Sequence, residues 1–165
     1  MPNHLSSLGI VHTIISILAI IAAIIALFRT GRIDPRTGSG KGYIVLTILT
    51  CLTSFGVMKT GHFTPAHGLS VIVLLLLLPA IYARRLFGAN KSTRGERIET
   101  ILMTTTLFLS FIPAITETLT RLPISHPIAE SPDASIVKMS YLGLTVLFII
   151  GLILQLRKPK ASIVH

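Results

Sequence analysis

Two kinds of residue in this sequence could carry chemistry: histidines, whose unprotonated ring nitrogen binds metals or haem iron, and acids set among hydroxyls inside otherwise apolar stretches. The histidines are His4, His12, His62, His67, His126 and His165. His12 falls about one turn into the first apolar stretch, and His67 opens the third just after Pro65. Two imidazoles at similar depth on different helices could share a transition metal or hold a haem iron axially, so His12 and His67 are the candidate cofactor-binding residues. His62 and His67 form a second candidate metal pair, but Pro65 between them denies the i, i+4 chelate of an unbroken helix. The competing reading is that histidines at a membrane boundary bond to carbonyls, water or headgroups.

The acids fall into a clearer pattern. At about 100° per residue, Glu99, Thr106, Ser110, Pro113 and Glu117 point within about 40° of one direction, which draws a polar seam along one helix. Hydrocarbon cannot satisfy hydroxyls or carboxylates, so the seam should face other helices or a wet cavity. A small permease or channel could use such a face. The two glutamates are separated by roughly 27 Å of helical rise, which excludes a paired acid and base. Glu99 near the helix start is favoured by the helix dipole, and Glu117 can pair with Arg121 at i, i+4. Thr104, Thr105 and Thr106 in succession must point three ways, and Pro113 should free a carbonyl and bend the helix.

Other motifs dissolve under inspection. Gly38-Ser39-Gly40-Lys41-Gly42 looks like a phosphate loop, but Pro35 and Gly42 occupy its first and last diagnostic positions. The run is expected to be a flexible turn, with Lys41 at the headgroups. Thr47, Thr50, Cys51 and Ser54 share one side of a second helix, while Ser16, Ala19, Ala23 and Ala26 share one side of the first. Small and hydroxylated seams of this kind bring helices close in lipid. The single cysteine excludes an internal disulfide and is read as packing.

The elements that must position these residues are membrane helices. Of the 165 residues 51% are hydrophobic and only 13% charged, with a mean hydropathy of +0.78, far from the roughly 25% charged residues of a soluble domain. Five apolar stretches approach the 17 to 25 residues that cross a hydrocarbon core of about 30 Å. They run approximately Leu8 to Phe28, Gly42 to Met58, Gly68 to Ala83, Ile98 to Leu119 and Met139 to Leu156. The second and third are short, with extensions available to Thr60 and back to Pro65. The first lacks a basic flank before it and an A-x-A site after it, and is expected to be a retained anchor rather than a signal peptide.

Charge sorts with loop number. Arg29, Arg32, Arg36 and Lys41 lie between the first two spans, Arg84, Arg85, Lys91, Arg94 and Arg97 between the third and fourth, and Arg157, Lys158 and Lys160 after the last. Only Lys59, Arg121 and Lys138 belong to the opposite face. The positive-inside rule then places the N-terminus outside and the C-terminus in the cytoplasm of a bacterial inner membrane. The acids Asp34, Glu96 and Glu99 share the basic face, Glu117, Glu130 and Asp133 the other, so the whole formal charge of +9 is expected at the cytoplasmic side against anionic lipid headgroups. Nucleic acid is excluded as a partner because no aromatic interleaving accompanies the bases. The loops are too short for a separate fold, which leaves a single all-α transmembrane domain over residues 1–165.

One stretch carries a resemblance. Gly61, Phe63, Thr64, Pro65 and His67, leading into an apolar helix, with Ala83-Arg84-Arg85 after it and Phe111-Ile112-Pro113 later, resemble a bacterial family of predicted multi-pass membrane proteins, domain-of-unknown-function family 2306. The likeness covers roughly residues 30 to 121. Family members tend to carry a His-Arg pair before the second span and a His before the fourth, where this chain has Pro35-Arg36 and Gly95-Glu96-Arg97. Of any family histidine site only His67 would persist. The expectation is therefore an accessory or assembly component of the membrane, with self-association or another membrane protein as its partner alternatives. A haem- or metal-binding redox protein and a permease are its rivals.

Overall fold

In the computed structural model, which describes residues 6–57, 64–87 and 93–157, five helices follow one another. They are α1 (Ser7–Thr30), α2 (Gly38–Ser54), α3 (Pro65–Phe87), α4 (Thr93–Arg121) and α5 (Ser135–Arg157), and no strand occurs among the described residues. The all-α expectation holds. Four of the five, α1, α3, α4 and α5, are long and apolar enough to cross a membrane. With 17 residues, α2 spans only about 25 Å at 1.5 Å per residue.

The start of α2 corrects the reading of the glycine run. Gly38 to Gly42 is the opening of the helix and not a flexible turn, because Thr37 caps it: its hydroxyl accepts from the Gly40 N–H at 3.1 Å and donates to the Asp34 carbonyl at 2.9 Å. Gly40 is there for space. A Cβ at that position would lie 1.9 Å from the Asp34 carbonyl oxygen, so the loop backbone crosses where only glycine leaves room. The helix is thus displaced toward the N-terminus relative to the span expected from Gly42 to Met58, and residues 58–63 lie outside the described residues. At the other side of the same loop, Gly31 ends α1 in the left-handed region (φ 73°), its N–H bonded to the Leu27 carbonyl at 2.9 Å.

Contacts between helices show that neighbours run antiparallel. His12 near the start of α1 meets Thr53 near the end of α2, Ser54 meets Ser70 near the start of α3, and Arg84 near the end of α3 meets Glu99 near the start of α4. Chain loops therefore alternate between two ends. One end holds loop 31–37, the last turn of α3 and the first turns of α4, and is called the charged end below. The opposite end holds His12 and His67.

A single core joins four helices: Ala19, Ala23 and Ala26 of α1, Tyr43 and Ile44 of α2, Leu77 and Ala80 of α3, Met103 and Leu107 of α4, closed by Ile33 of the loop. The small alanine seam of α1 is indeed its buried face, and Ala22 lies 3.9 Å from where a Gly42 Cβ would stand. By contrast α5 packs along α4 and along no other helix, contributes nothing to this core, and has Val137 as its one buried residue. Its outer face exposes Met139, Leu142, Leu147, Ile150 and Leu154.

Candidate functional site

At the charged end, the last turn of α3 and the first turns of α4 bring arginine and glutamate together because the two helices form an antiparallel pair. Glu99, in the second turn of α4, is 2% exposed. It accepts two parallel hydrogen bonds from Arg84, Nε to Oε2 and Nη2 to Oε1, each 2.8 Å. This fork is the strong geometry for a guanidinium and a carboxylate. The same Arg84 lies 3.6 Å from Asp34 and 3.9 Å from Glu96, while Arg32 pairs with Glu96 and lies 3.7 Å from Asp34. Arg36 closes the group through Nε to Asp34 Oδ1 at 2.8 Å, and its backbone N–H also bonds that oxygen at 3.0 Å.

Three arginines and three carboxylates thus tie loop 31–37 to α3 and α4 with no net charge. Burial acts to raise the Asp34 pKa, but the Arg36 side-chain and backbone hydrogen bonds and the nearby Arg36 and Arg84 charges outweigh it, and Asp34 is held down at about 2. For Arg32, burial together with the neighbouring Arg84 charge lowers the pKa, whereas its hydrogen bonds to Asp34 raise that of Arg36.

The expected seam of α4 is divided by this packing. Thr106 is fully buried against α2, where its hydroxyl lies 2.9 Å from that of Tyr43. Thr106 donates its one proton to the Met103 carbonyl at 2.8 Å, so Tyr43 must be the donor between the two hydroxyls. Ser110 donates back to the Thr106 carbonyl at 2.9 Å. Glu117 is exposed and paired with Arg121 one turn on. Glu99 and Glu117 therefore share a helix face by angle and nothing by environment. The three threonines do point three ways: Thr104 donates to Gln155 of α5 at 3.0 Å, Thr105 bonds back to Ile101, and Thr106 faces Tyr43. α4 continues as helix through Pro113.

At the opposite end, His67 is 2% exposed and has a structural reason for its position. Thr64 precedes the helix, Pro65 is its first residue, and His67 its third. The Thr64 backbone N–H donates to His67 Nδ1 at 2.9 Å, so the imidazole takes the part that Glu or Gln plays in a capping box. The Thr64 hydroxyl lies 2.7 Å from the same nitrogen. A ring that accepts at Nδ1 carries its proton on Nε2 when neutral, so as placed His67 does not offer a lone pair to a metal or haem iron. Its ring also stacks on Phe55, centroids 6.1 Å apart.

His12 Nδ1 lies 3.0 Å from the Thr53 hydroxyl, which also reaches the Leu49 carbonyl at 2.8 Å. The two candidate cofactor residues lie at one end of the bundle, beside the last turn of α2. His62, the other candidate metal ligand, lies outside the described residues together with His4 and His165, and His126 sits exposed in the loop after α4. Among the described residues no group of three or more His, Cys, Asp or Glu is arranged to hold a metal ion.

Sequence reasoning missed Asp34, Arg84 and Tyr43 as partners of the seam. A usable signal was present for the first two: all the acids expected on the basic side fall in or next to loops with arginines, and antiparallel neighbours must bring those loops together. Tyr43 gave no signal beyond being a polar-tipped ring in an apolar run. Comparison with known proteins gave no matching family model, no similar curated protein and no matching solved structure.

Proposed function

We propose that the chain is an accessory or assembly component of a bacterial inner membrane, built to hold helices in fixed register rather than to transform a substrate. One observation carries this reading: the polar seam of α4 and the buried His67 are committed to partners within the fold. Glu99 serves Arg84, Thr106 serves Tyr43 and Met103, Glu117 serves Arg121, and the Nδ1 lone pair of His67 serves Thr64. A catalytic or transport site needs several such groups converging on one unfilled position.

The charged end faces the cytoplasm in this proposal. Its three acids are taken up by three arginines, so Arg29, Lys41, Arg85 and Arg97 keep their charge for anionic headgroups. The support is the distribution of charge: among the described residues only Arg121 and Lys138 are basic at the histidine end. In a Cys51→Ser background, single cysteines at Gly38 and Ser131 should react with an impermeant maleimide from opposite sides of the membrane, Gly38 from the cytoplasm. Labelling of both from one side overturns the orientation. We also propose kinship with domain-of-unknown-function family 2306; what supports it is the likeness of the Gly61, Phe63, Thr64, Pro65 and His67 stretch.

The deciding experiment is quantitative membrane proteomics on cells lacking the chain. Selective loss of one membrane complex, restored by the wild type and by Glu117→Gln, is the expected result. A purified protein with a Soret band or stoichiometric bound metal, or one that passes solute in liposomes, overturns the assembly reading in favour of its redox or permease rival.

A further inference from the structure

The loop from α4 to α5 has two unlike halves. Leu122 to Ala129 contains no Asp, Glu, Lys or Arg, whereas Glu130 and Asp133 follow directly. In the first half the large apolar side chains are left outside the protein: Ile124 is 77% exposed, Ile128 57% and Leu122 49%. The loop at the charged end does the reverse. There Ile33, set among Arg32, Asp34 and Arg36, is buried in the core. A short loop of this protein is thus able to hide its isoleucine, and a cluster of exposed ones marks a surface that something covers.

The backbone of the apolar half shows what kind of surroundings it suits. The Leu122 N–H donates to the Thr118 carbonyl at 3.0 Å, that of His126 to Pro123 at 3.2 Å, that of Ile128 to Leu122 at 3.1 Å and that of Ala129 to Leu119 at 2.9 Å. Pro123 and Pro127 have no N–H to satisfy. Six of the eight residues from Leu122 to Ala129 therefore present no open donor. Water makes no such demand on a loop, but the apolar edge of a bilayer does, since hydrocarbon supplies no partner. The Ala129 bond to Leu119 also folds the segment back against the last turns of α4, and Ala129 is buried there. Its apolar side chains are thereby kept beside the end of a helix long and apolar enough to cross a membrane. The loop leads into α5, another such helix, whose exposed apolar face begins at Ile136 and Met139.

We propose that Leu122, Ile124 and Ile128 dip into the bilayer as an interfacial anchor, in the leaflet at the histidine end, while Glu130 and Asp133 stay in water. Lipid is the occupant because the patch is uncharged, has its backbone donors satisfied, and continues the exposed apolar surface of the two helices that the loop joins. The anchor needs only that α4 and α5 span the membrane. It is independent of the assembly role and of which side is cytoplasmic, and its failure would leave both untouched.

Tryptophan fluorescence tests it, because the chain has no tryptophan of its own. Ile124→Trp and Ile128→Trp each place one reporter on the patch, and Ser131→Trp places one between the two acids. Each full-length variant is studied in nanodiscs of phosphatidylcholine and phosphatidylglycerol. The rings at 124 and 128 should emit at shorter wavelength than the ring at 131. Lipids brominated close to the headgroup should quench them at least several-fold more strongly, and aqueous acrylamide several-fold less. All three variants carry the same ring, so the affinity of tryptophan for interfaces does not create the difference. If 124 and 128 match 131 with both quenchers, the loop stands in water and the proposal fails; a patch reserved for a partner protein gives this same result, since the discs hold only lipid and this chain. Short-wavelength emission that neither quencher reaches would place the rings inside protein and overturn it equally.

Discussion

Arg84 and Glu99 show how a membrane protein can keep a buried charge. The pair is worth little as an attraction against the cost of desolvation, but removing Arg84 leaves Glu99 buried and without its fork, which costs about 3–5 kcal/mol. Arg84→Ala should lower thermal stability in detergent by about that much; Glu99→Ala should cost less, because Arg84 keeps Asp34 and Glu96 beside it, and Glu117→Ala, on an exposed pair, should change it by less than about 1 kcal/mol. If Arg84→Ala is as mild as Glu117→Ala, the fork does not hold the helices. Asp34 adds a pH dependence with a defined sign. Its folded pKa of about 2 lies below its ordinary value of 3.8, so its contribution is complete above pH 4 and is lost as pH falls from about 4 through 2. Unfolding midpoints measured across that window should fall less steeply in Asp34→Asn than in the wild type. His67 makes a further prediction. His67→Gln preserves an acceptor for the Thr64 N–H and should stay within about 0.5 kcal/mol of the wild type, while His67→Ala should cost about 1 kcal/mol. Equal losses in both would mean that the ring does something other than begin α3.

Helix starts explain both what hydropathy revealed and what it hid. The apolar centres of α1, α3, α4 and α5 were readable because twenty or so greasy residues have no other stable home, and the structure extends each by only a few residues at its ends. The beginning of α2 was not readable, since Gly38, Ser39, Gly40 and Lys41 have the composition of a loop and helical structure there depends on Thr37 and on the path of Asp34. Hydropathy does not register a cap or a close backbone approach. Gly→Ala inside a helix normally gains up to about 1 kcal/mol. At Gly40 the sign should reverse, because the methyl would displace the Asp34 carbonyl and with it the carboxylate beside Arg36 and Arg84. Gly38→Ala, which meets nothing within 4 Å, is the control and should be neutral or stabilising. Periodicity in α4 was similarly half informative: it assigned Glu99, Thr106, Ser110 and Glu117 to one face but carried no information on which neighbour covers each level. Thr106 met a tyrosine, Glu99 an arginine of α3, and Glu117 the arginine one turn on in α4.

Taken together, the helices make a four-membered bundle with a fifth laid against one side. α1 to α4 share the core and the ion cluster, while α5 is held to α4 by Thr104 with Gln155, by Phe108 with Phe148 at 4.7 Å, and by the Thr116 and Tyr141 hydroxyls. These α5 residues are spaced by sevens, so they form one narrow stripe and leave the remainder of that helix to lipid or to a partner. A chain stopped within loop 122–134 should therefore still insert and retain the Arg84–Glu99 fork, seen as unchanged hydrogen-exchange protection of α3 and α4 at the charged end. Loss of that protection would show that α5 is part of the cooperative unit. The alternation of charge with loop number made five antiparallel helices readable in advance; that α5 has a single neighbour could not be foreseen, because its apolar surface is nearly uniform all round.

That solitary attachment also has a consequence in time. Synthesis proceeds from α1 onward, and every residue of the core and of the neutral charge group leaves the ribosome before α5 does. The fifth helix therefore meets a finished surface rather than helping to shape one, and during that interval the flank of α4 around Thr104 and Thr116 is bare.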